Sequence, residues 1–357
     1  MLKSNNLTEQ IIQGFTILRF PLAIFVIMQH HNFDIDWDAV NTWTQIENLA
    51  YRVLKIVDKV AVPCFYVISG FFFFLNVSEF KYTVYKKKLS KRFRSLIVPF
   101  ILWNIIAYLF LLCKDIVTGN NTIPEGLLHF DSFMWSFLLF NGGTTPINAP
   151  LWFLRDLIVV VFLTPLIYLC IKKCPFIFLS VLIVLFFTFD KSPLYLIYPA
   201  QPYTAPLFFS IGSFIAINRH KFDKMHVNVT NTAIISITLI YAICILLLLY
   251  SDTPLLQTIT FNFAGVLFTL LLALRIYNTK FCQSLIKLNS TCFFLFALHF
   301  LLINSCQSIV QWFIPKEEVL WLFIGSVIIN TLLCMFSYYA CRKVFPNVAS
   351  VLSGGRS

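Results

Sequence analysis

Two residues in the first apolar stretch of this 357-residue chain have the types and spacing for chemistry: Arg19 and His30, eleven positions apart. At about 100° per residue, eleven positions fall within about 20° of three full turns, so both side chains share one helix face. They are about 16 Å apart along the axis, Arg19 toward the start of the helix and His30 toward its far end. Charge inside an apolar helix is costly and usually faces a bundle interior or a site, although an arginine two turns in can also snorkel. A permanent cation and a titratable imidazole on one face suit chemistry carried across a membrane, with Arg19 toward the cytoplasm and His30 near the outer mouth. His31 competes with His30 for that role.

A second group stands in Leu151-Trp152-Phe153-Leu154-Arg155-Asp156. Adjacent helical positions point about 100° apart, which predicts that Arg155 and Asp156 find partners on other helices or line a wet cavity instead of neutralising each other. Trp152 fits the site or an interfacial anchor equally well. The basic run Lys86-Lys87-Lys88-Leu89-Ser90-Lys91-Arg92-Phe93-Arg94 reads as a topological anchor against anionic lipid or as a cradle for phosphate groups. His299, in the inner half of a late apolar stretch, is a supporting candidate or a buried histidine bonded across helices. The ten cysteines show no zinc-ligand spacing and read as free thiols, so no metal is expected.

The elements that must position these residues follow from composition. Hydrophobic residues make up 59% of the chain and charged ones only 12%, about half the share of a soluble domain. That excludes disordered chains, nucleic-acid binders and ordinary cytosolic enzymes, and leaves an all-α integral membrane protein. Apolar stretches near 12–32, 59–77, 95–113, 150–170, 175–190, 203–218, 232–250, 257–274, 291–313 and 319–341 predict a bundle of about ten transmembrane helices. The fifth and sixth are short. With both termini cytoplasmic, nineteen basic residues lie inside and six outside, the asymmetry expected of membrane topology. The run 127–140 is too short to span and reads as interfacial. Residues 1–342 form one multi-pass domain and 343–357 a short cytoplasmic tail. The outer loops near 33–58 and 114–149 are where a polar substrate would be met.

Taken in order, these residues resemble the membrane-bound acyltransferases of acyltransferase family 3, which O-acetylate cell-surface sugars. The resemblance runs from about residue 10 to 342. Arg19 and His30 match the first-helix arginine and histidine of that family, and Phe65-Tyr66-Val67-Ile68-Ser69-Gly70-Phe71 matches its Ser-Gly-aromatic signature. Lys91-Arg92-Phe93-Arg94 up to Pro99 matches its basic cluster. Leu151-Trp152-Phe153-Leu154 with Thr164-Pro165, and Leu298-His299, complete the set. Asp156 stands where many members carry Glu, and Ser95 where some carry a base.

The resemblance implies transfer of an acyl group, commonly acetyl, from cytosolic acyl-CoA to a hydroxyl of a surface sugar or glycolipid, in the bacterial cytoplasmic (inner) membrane. It implies that Arg92, Arg94 and Lys91 hold the phosphates of acetyl-CoA. Arg19 would grip the donor arm or polarise the thioester carbonyl, and His30 would act as general base. Asp156, or one of Asp34, Asp36 and Asp38, would orient the imidazole or hold the sugar, with Trp152, Arg155, Ser69 and His299 in support. Thiolate is a good leaving group, so no metal is demanded. The alternative is a multi-pass transporter or flippase of a lipid-linked sugar or small metabolite; a structural scaffold is a third reading.

Overall fold

The computed structural model describes residues 6–33, 42–119, 146–188, 203–224, 230–251 and 253–355, and among them every regular element is helical. The main helices are α1 (Leu7–His30), α2 (Thr42–Val57), α3 (Ala61–Phe74), α4 (Tyr82–Arg92) and α5 (Val98–Thr118). They continue with α6 (Trp152–Phe162), α7 (Thr164–Lys173), α8 (Pro175–Phe187), α9 (Thr204–Ile217) and α10 (Asn231–Tyr250). The last are α11 (Gly265–Ile276), α12 (Cys292–Gln311), α13 (Val319–Val344) and α14 (Pro346–Leu352). The expected all-α membrane architecture is therefore present. The run 127–140 and residues Asp34, Asp36 and Asp38 lie outside the described residues.

Among the described residues, seven helical stretches are long and apolar enough to cross a bilayer, and the pair α6–α7 makes an eighth if it crosses as one. That pair is bent by 61° at Leu163. The cause lies in Thr164-Pro165: proline has no N–H for the helical ladder and its ring crowds the preceding turn. In place of the fifth and sixth of the ten expected spans stand α8 and α9, with 13 and 14 residues. At 1.5 Å per residue they reach about 20 Å, short of the roughly 30 Å hydrocarbon core.

Two compact units divide the chain, one made of Met1–Phe65 and Asn218–Ser337, the other of Tyr66–Ile217 and Tyr338–Ser357. In the first unit α1 packs against α12, α11 and the short helix Lys280–Ile286. Residues 42–57, expected in an outer loop, instead form α2, which a 3-10 turn at Asp58–Val60 joins to α3. Ile27, Met28, Tyr51, Leu295, Val319, Phe323 and Val327 form one core there, and Ile17, Ala273, Tyr277 and Cys282 another. Ile235, Leu239, Ile243 and Leu246 make an exposed stripe on α10 at helical spacing, a surface suited to lipid. Helices in lipid gain nothing from apolar burial alone, so close packing and hydrogen bonds between helices hold such a unit together.

The second unit shows what the Ser-Gly-aromatic stretch does. A Cβ added at Gly70 would lie 2.0 Å from the Phe209 carbonyl oxygen, and one at Gly212 would lie 1.9 Å from that of Val67. α3 and α9 thus cross backbone to backbone, each with a glycine against the other's carbonyl, the close approach that small residues permit between membrane helices. A single helical stretch covers Tyr82–Thr118, with a π turn at Phe93–Ile97. Pro99 cannot donate to the Ser95 carbonyl, and the ladder widens so that the Val98 N–H reaches the Phe93 oxygen. Gly354, at φ 64°, packs over that Ser95 oxygen, where a Cβ would come within 2.5 Å. The indole N–H of Trp103 donates to the Leu352 carbonyl at 3.0 Å and ties α14 to α5.

Candidate active site

The last turn of α1 carries His30 and ends on His31. Three carbonyls there, those of Met28, Gln29 and His31, accept from the Lys55 ammonium at 2.8, 3.0 and 3.2 Å. A helix leaves its last carbonyls unpaired and its C-terminal end partly negative, so a lysine there supplies both donors and charge. Lys55 is in turn 3.5 Å from the Asp58 carboxylate, whose side chain is fully buried, and Lys59 approaches the same group at 4.0 Å. The Gln29 side-chain amide donates to the Asp58 carbonyl, so α1 bonds the backbone of the 3-10 turn while Lys55 of α2 bonds the backbone at the end of α1.

The two neighbouring histidines are placed differently. His31 is buried, with Nδ1 2.9 Å from the Ile27 carbonyl oxygen and Nε2 3.4 Å from the side-chain nitrogen of Asn330. Because a carbonyl only accepts, Nδ1 carries the hydrogen and Nε2 accepts from Asn330, so both ring nitrogens are occupied. His30 is half-buried, and its ring centroid lies 5.2 Å from that of His299 and 5.5 Å from that of Phe300. The same Asn330 amide donates to the His299 carbonyl at 3.0 Å, and its oxygen accepts from the Cys334 thiol at 3.3 Å. One asparagine thus joins α1, α12 and α13 at the level of the histidines.

These contacts set the height of the cluster. His299 lies seven residues into α12, about 10 Å from its start and about 18 Å from its end. Asn330 lies eleven residues into α13, about 16 Å from its start. His30, whose ring lies against His299, therefore sits level with the interior of α12 and α13. Arg19, half-buried on the same helix, belongs to the level where α12 begins: Asn289, just before that helix, donates to the Thr16 carbonyl at 2.8 Å.

The remaining candidates belong to the second unit. The Arg155 Nε donates to an Asp156 carboxylate oxygen at 3.1 Å, with the two residues 6% and 3% exposed. The expectation that neighbours on a helix cannot neutralise each other fails here. The arginine side chain is long enough to turn back round the helix, and two buried charges gain more from pairing than from separate solvation. Trp152 opens α6 half-buried, and Ser69 is half-buried beside Gly70. The basic run divides its work: Lys88 donates to the Phe73 carbonyl with its ammonium 5.0 Å from that ring's centroid, and Arg92 stands over the same ring at 5.8 Å. Lys91 and Arg94 are exposed.

The structure thus brings His30, His31 and His299 together in the first unit, with Arg19 on the same helix. Arg155 and Asp156 pair in the second unit, which also carries Trp152, Ser69, Lys91, Arg92 and Arg94. Sequence reasoning passed over Lys55, Asp58 and Asn330. Lys55 was read as an outer-loop charge, yet an i, i+3 Lys–Asp pair just before an apolar stretch could have marked a helix junction. Asn330 is a lone amide inside an apolar 26-residue helix, where a polar side chain needs an interhelical partner.

A family described as an acyltransferase domain matches residues 12–339. The succinoglycan biosynthesis protein ExoH of Rhizobium meliloti (strain 1021) is 24% identical over 165 residues, which cover 44% of this chain and 43% of that protein. The chain thus aligns with less than half the length of this curated relative. No solved structure matches. Because the family match takes in nearly every helix and all the candidate residues, this multi-pass membrane protein belongs to the acyltransferase 3 family.

Proposed function

We propose that the protein transfers an acetyl or related acyl group from acyl-CoA to a hydroxyl of a surface polysaccharide or glycolipid, with His30 as general base. The observation that carries this reading is the half-buried His30 imidazole, fixed at a clamped helix end and facing a second histidine, with Arg19 on the same helix. An imidazole is the usual side chain for taking a proton from a hydroxyl. His31 does not compete, because both its nitrogens are engaged. The succinoglycan connection of the relative supports a polysaccharide acceptor, and the excess of basic residues on one side of the spans supports cytoplasmic termini. The bacterial cytoplasmic membrane is the corresponding location.

In this reading the acceptor hydroxyl gives its proton to His30 as its oxygen attacks the thioester carbonyl carbon. The C–S bond breaks, and the departing thiolate takes the proton from His30, leaving free CoA and an O-acyl product. Arg19 is about 16 Å from His30 along α1, too far for both to act on one carbonyl. It therefore serves the donor's extended arm and not the reacting centre. Lys91, Arg92 and Arg94 are the proposed contacts for the donor's phosphates, the exposed Lys91 and Arg94 above all. Asp156 already spends an oxygen on Arg155, and holding that guanidinium is the role its geometry supports.

The test is release of CoA from acetyl-CoA by the purified full chain in proteoliposomes, with a crude surface-glycan extract as acceptor. Acceptor-dependent release in the wild type and a loss of about 10²–10⁴-fold in His30→Ala, with labelled acetyl-CoA still bound, is the expected result. Unchanged release in the variant removes His30 from the chemistry. A folded wild type that neither binds nor turns over acetyl-CoA removes the donor assignment, and substrate flux across the membrane becomes the next assay.

A further inference from the structure

His299 is fully buried, and its Nδ1 lies 3.1 Å from the Leu295 carbonyl oxygen. That oxygen can only accept, so Nδ1 holds the ring's hydrogen and Nε2 of the neutral ring is a bare lone pair. Among the described residues this buried Nε2 has no hydrogen-bond partner. A buried acceptor left in that state costs free energy, and the ring that carries it has its centroid 5.2 Å from that of His30. A ring nitrogen sits about 1.2 Å from its centroid, so two imidazoles sharing one N–H···N bond of about 2.9 Å have centroids roughly 5 Å apart. The centroid separation is that of a bonded pair whose nitrogens face each other, and the two rings are tilted by 47°.

His31 shows that the vacancy at His299 is particular to it. Both histidines anchor Nδ1 on the carbonyl four residues earlier in their own helices, Ile27 and Leu295. In His31 the other nitrogen is then closed by Asn330, whereas the same asparagine meets His299 only at its backbone.

Resting on the general-base reading above, we infer that His299 is the positioning partner of His30. Its bare Nε2 accepts the N–H of the His30 ring, which fixes the tautomer that presents the other His30 nitrogen, as a lone pair, to the acceptor hydroxyl. When that nitrogen takes the hydroxyl proton, the His30 ring becomes a cation with two N–H groups, and the bond to His299 strengthens because its donor is now charged. The arrangement does with a neutral imidazole what a carboxylate does in a hydrolase triad. A neutral partner spares the site an unpaired anion between apolar helices. No proton leaves the pair except to the departing thiolate.

The experiment uses the full chain in proteoliposomes with acetyl-CoA and the glycan extract, comparing His299→Leu, which lacks an acceptor, with His299→Gln, whose side-chain oxygen falls near the position of Nε2. His299→Leu is expected to lower kcat by about 10²-fold or more with KM for acetyl-CoA within about twofold, and His299→Gln to restore at least a tenth of the wild-type kcat. In a His30→Ala background, His299→Leu should cost nothing further. Wild-type kcat in His299→Leu overturns the inference, and so do equal losses in both variants that multiply with the loss from His30→Ala. Full turnover by His30→Ala overturns the general-base reading itself, a separate result from an inactive His30→Ala beside a fully active His299→Leu.

Discussion

Replacing Lys55 with Met removes the clamp on the end of α1 while keeping the length of the side chain. Three carbonyl oxygens lose a donor at 2.8–3.2 Å, and the buried Asp58 carboxylate loses the nearer of its two cations, at 3.5 Å. Three charge-assisted bonds at about 1.5–3 kcal/mol each would sum to more than the whole effect, because one ammonium makes all three and loses its water only once. Removing one partner of a buried pair costs about 3–5 kcal/mol, and that range is the expected loss. For a chain of this length, at about 2 cal/mol/K of unfolding entropy per residue, it corresponds to a melting point lower by about 5 °C. The assay is a thermal melt in detergent beside CoA release in proteoliposomes. Turnover should fall further than stability, because the last turn that frays is the one carrying His30. The double variant Lys55→Met/Asp58→Asn should melt above the single one, since it no longer buries an uncompensated carboxylate. An unchanged melt and turnover in Lys55→Met, or a double variant worse than the single, would refute the clamp.

Gly70→Ala and Gly212→Ala each place a methyl within 2.0 Å of a carbonyl oxygen on the facing helix, so both should fold poorly, by about 3 kcal/mol or more, in size-exclusion and melting measurements. Ser69→Ala, half-buried beside Gly70, should fold normally in the same measurements. Arg94→Ala together with Lys91→Ala should raise KM for acetyl-CoA about tenfold or more with little change in kcat, since these exposed charges serve binding; a kcat loss at constant KM would count against that role. Asp156→Ala should destabilise the chain by about 3–5 kcal/mol by taking the paired carboxylate from the buried Arg155 guanidinium, whereas Arg155→Met/Asp156→Leu should recover most of that loss in a thermal melt.

Composition alone determined that this chain lives in a membrane as a helical bundle, because so few charges spread through so many apolar residues leave no other way to satisfy the backbone. The helix period likewise placed Arg19 and His30 on one face, since α1 runs unbroken between them and the argument needs nothing outside it. Where a property is local to one helix, the residues spell it out. The short α8 and α9 were legible in the same way, as missing length, whereas the bend at Pro165 and the π turn before Pro99 emerged only in the structure.

Tertiary structure decided the rest. The pairing of His30 with His299, the Asn330 bridge and the Lys55 clamp join positions far apart in the chain. They depend on the height and rotation at which helices meet, and periodicity in one helix says nothing of either. Lys55 looked like an outer-loop charge because its partners are backbone carbonyls, which every sequence has and none marks. Arg155 and Asp156 looked unable to pair because the helical wheel counts Cα directions and ignores the reach of a long side chain. The level of His30 among its neighbours was hidden for a related reason. The length of a helix fixes where its end stands relative to its own start, but only packing against α12 and α13 fixes where that end stands among its neighbours.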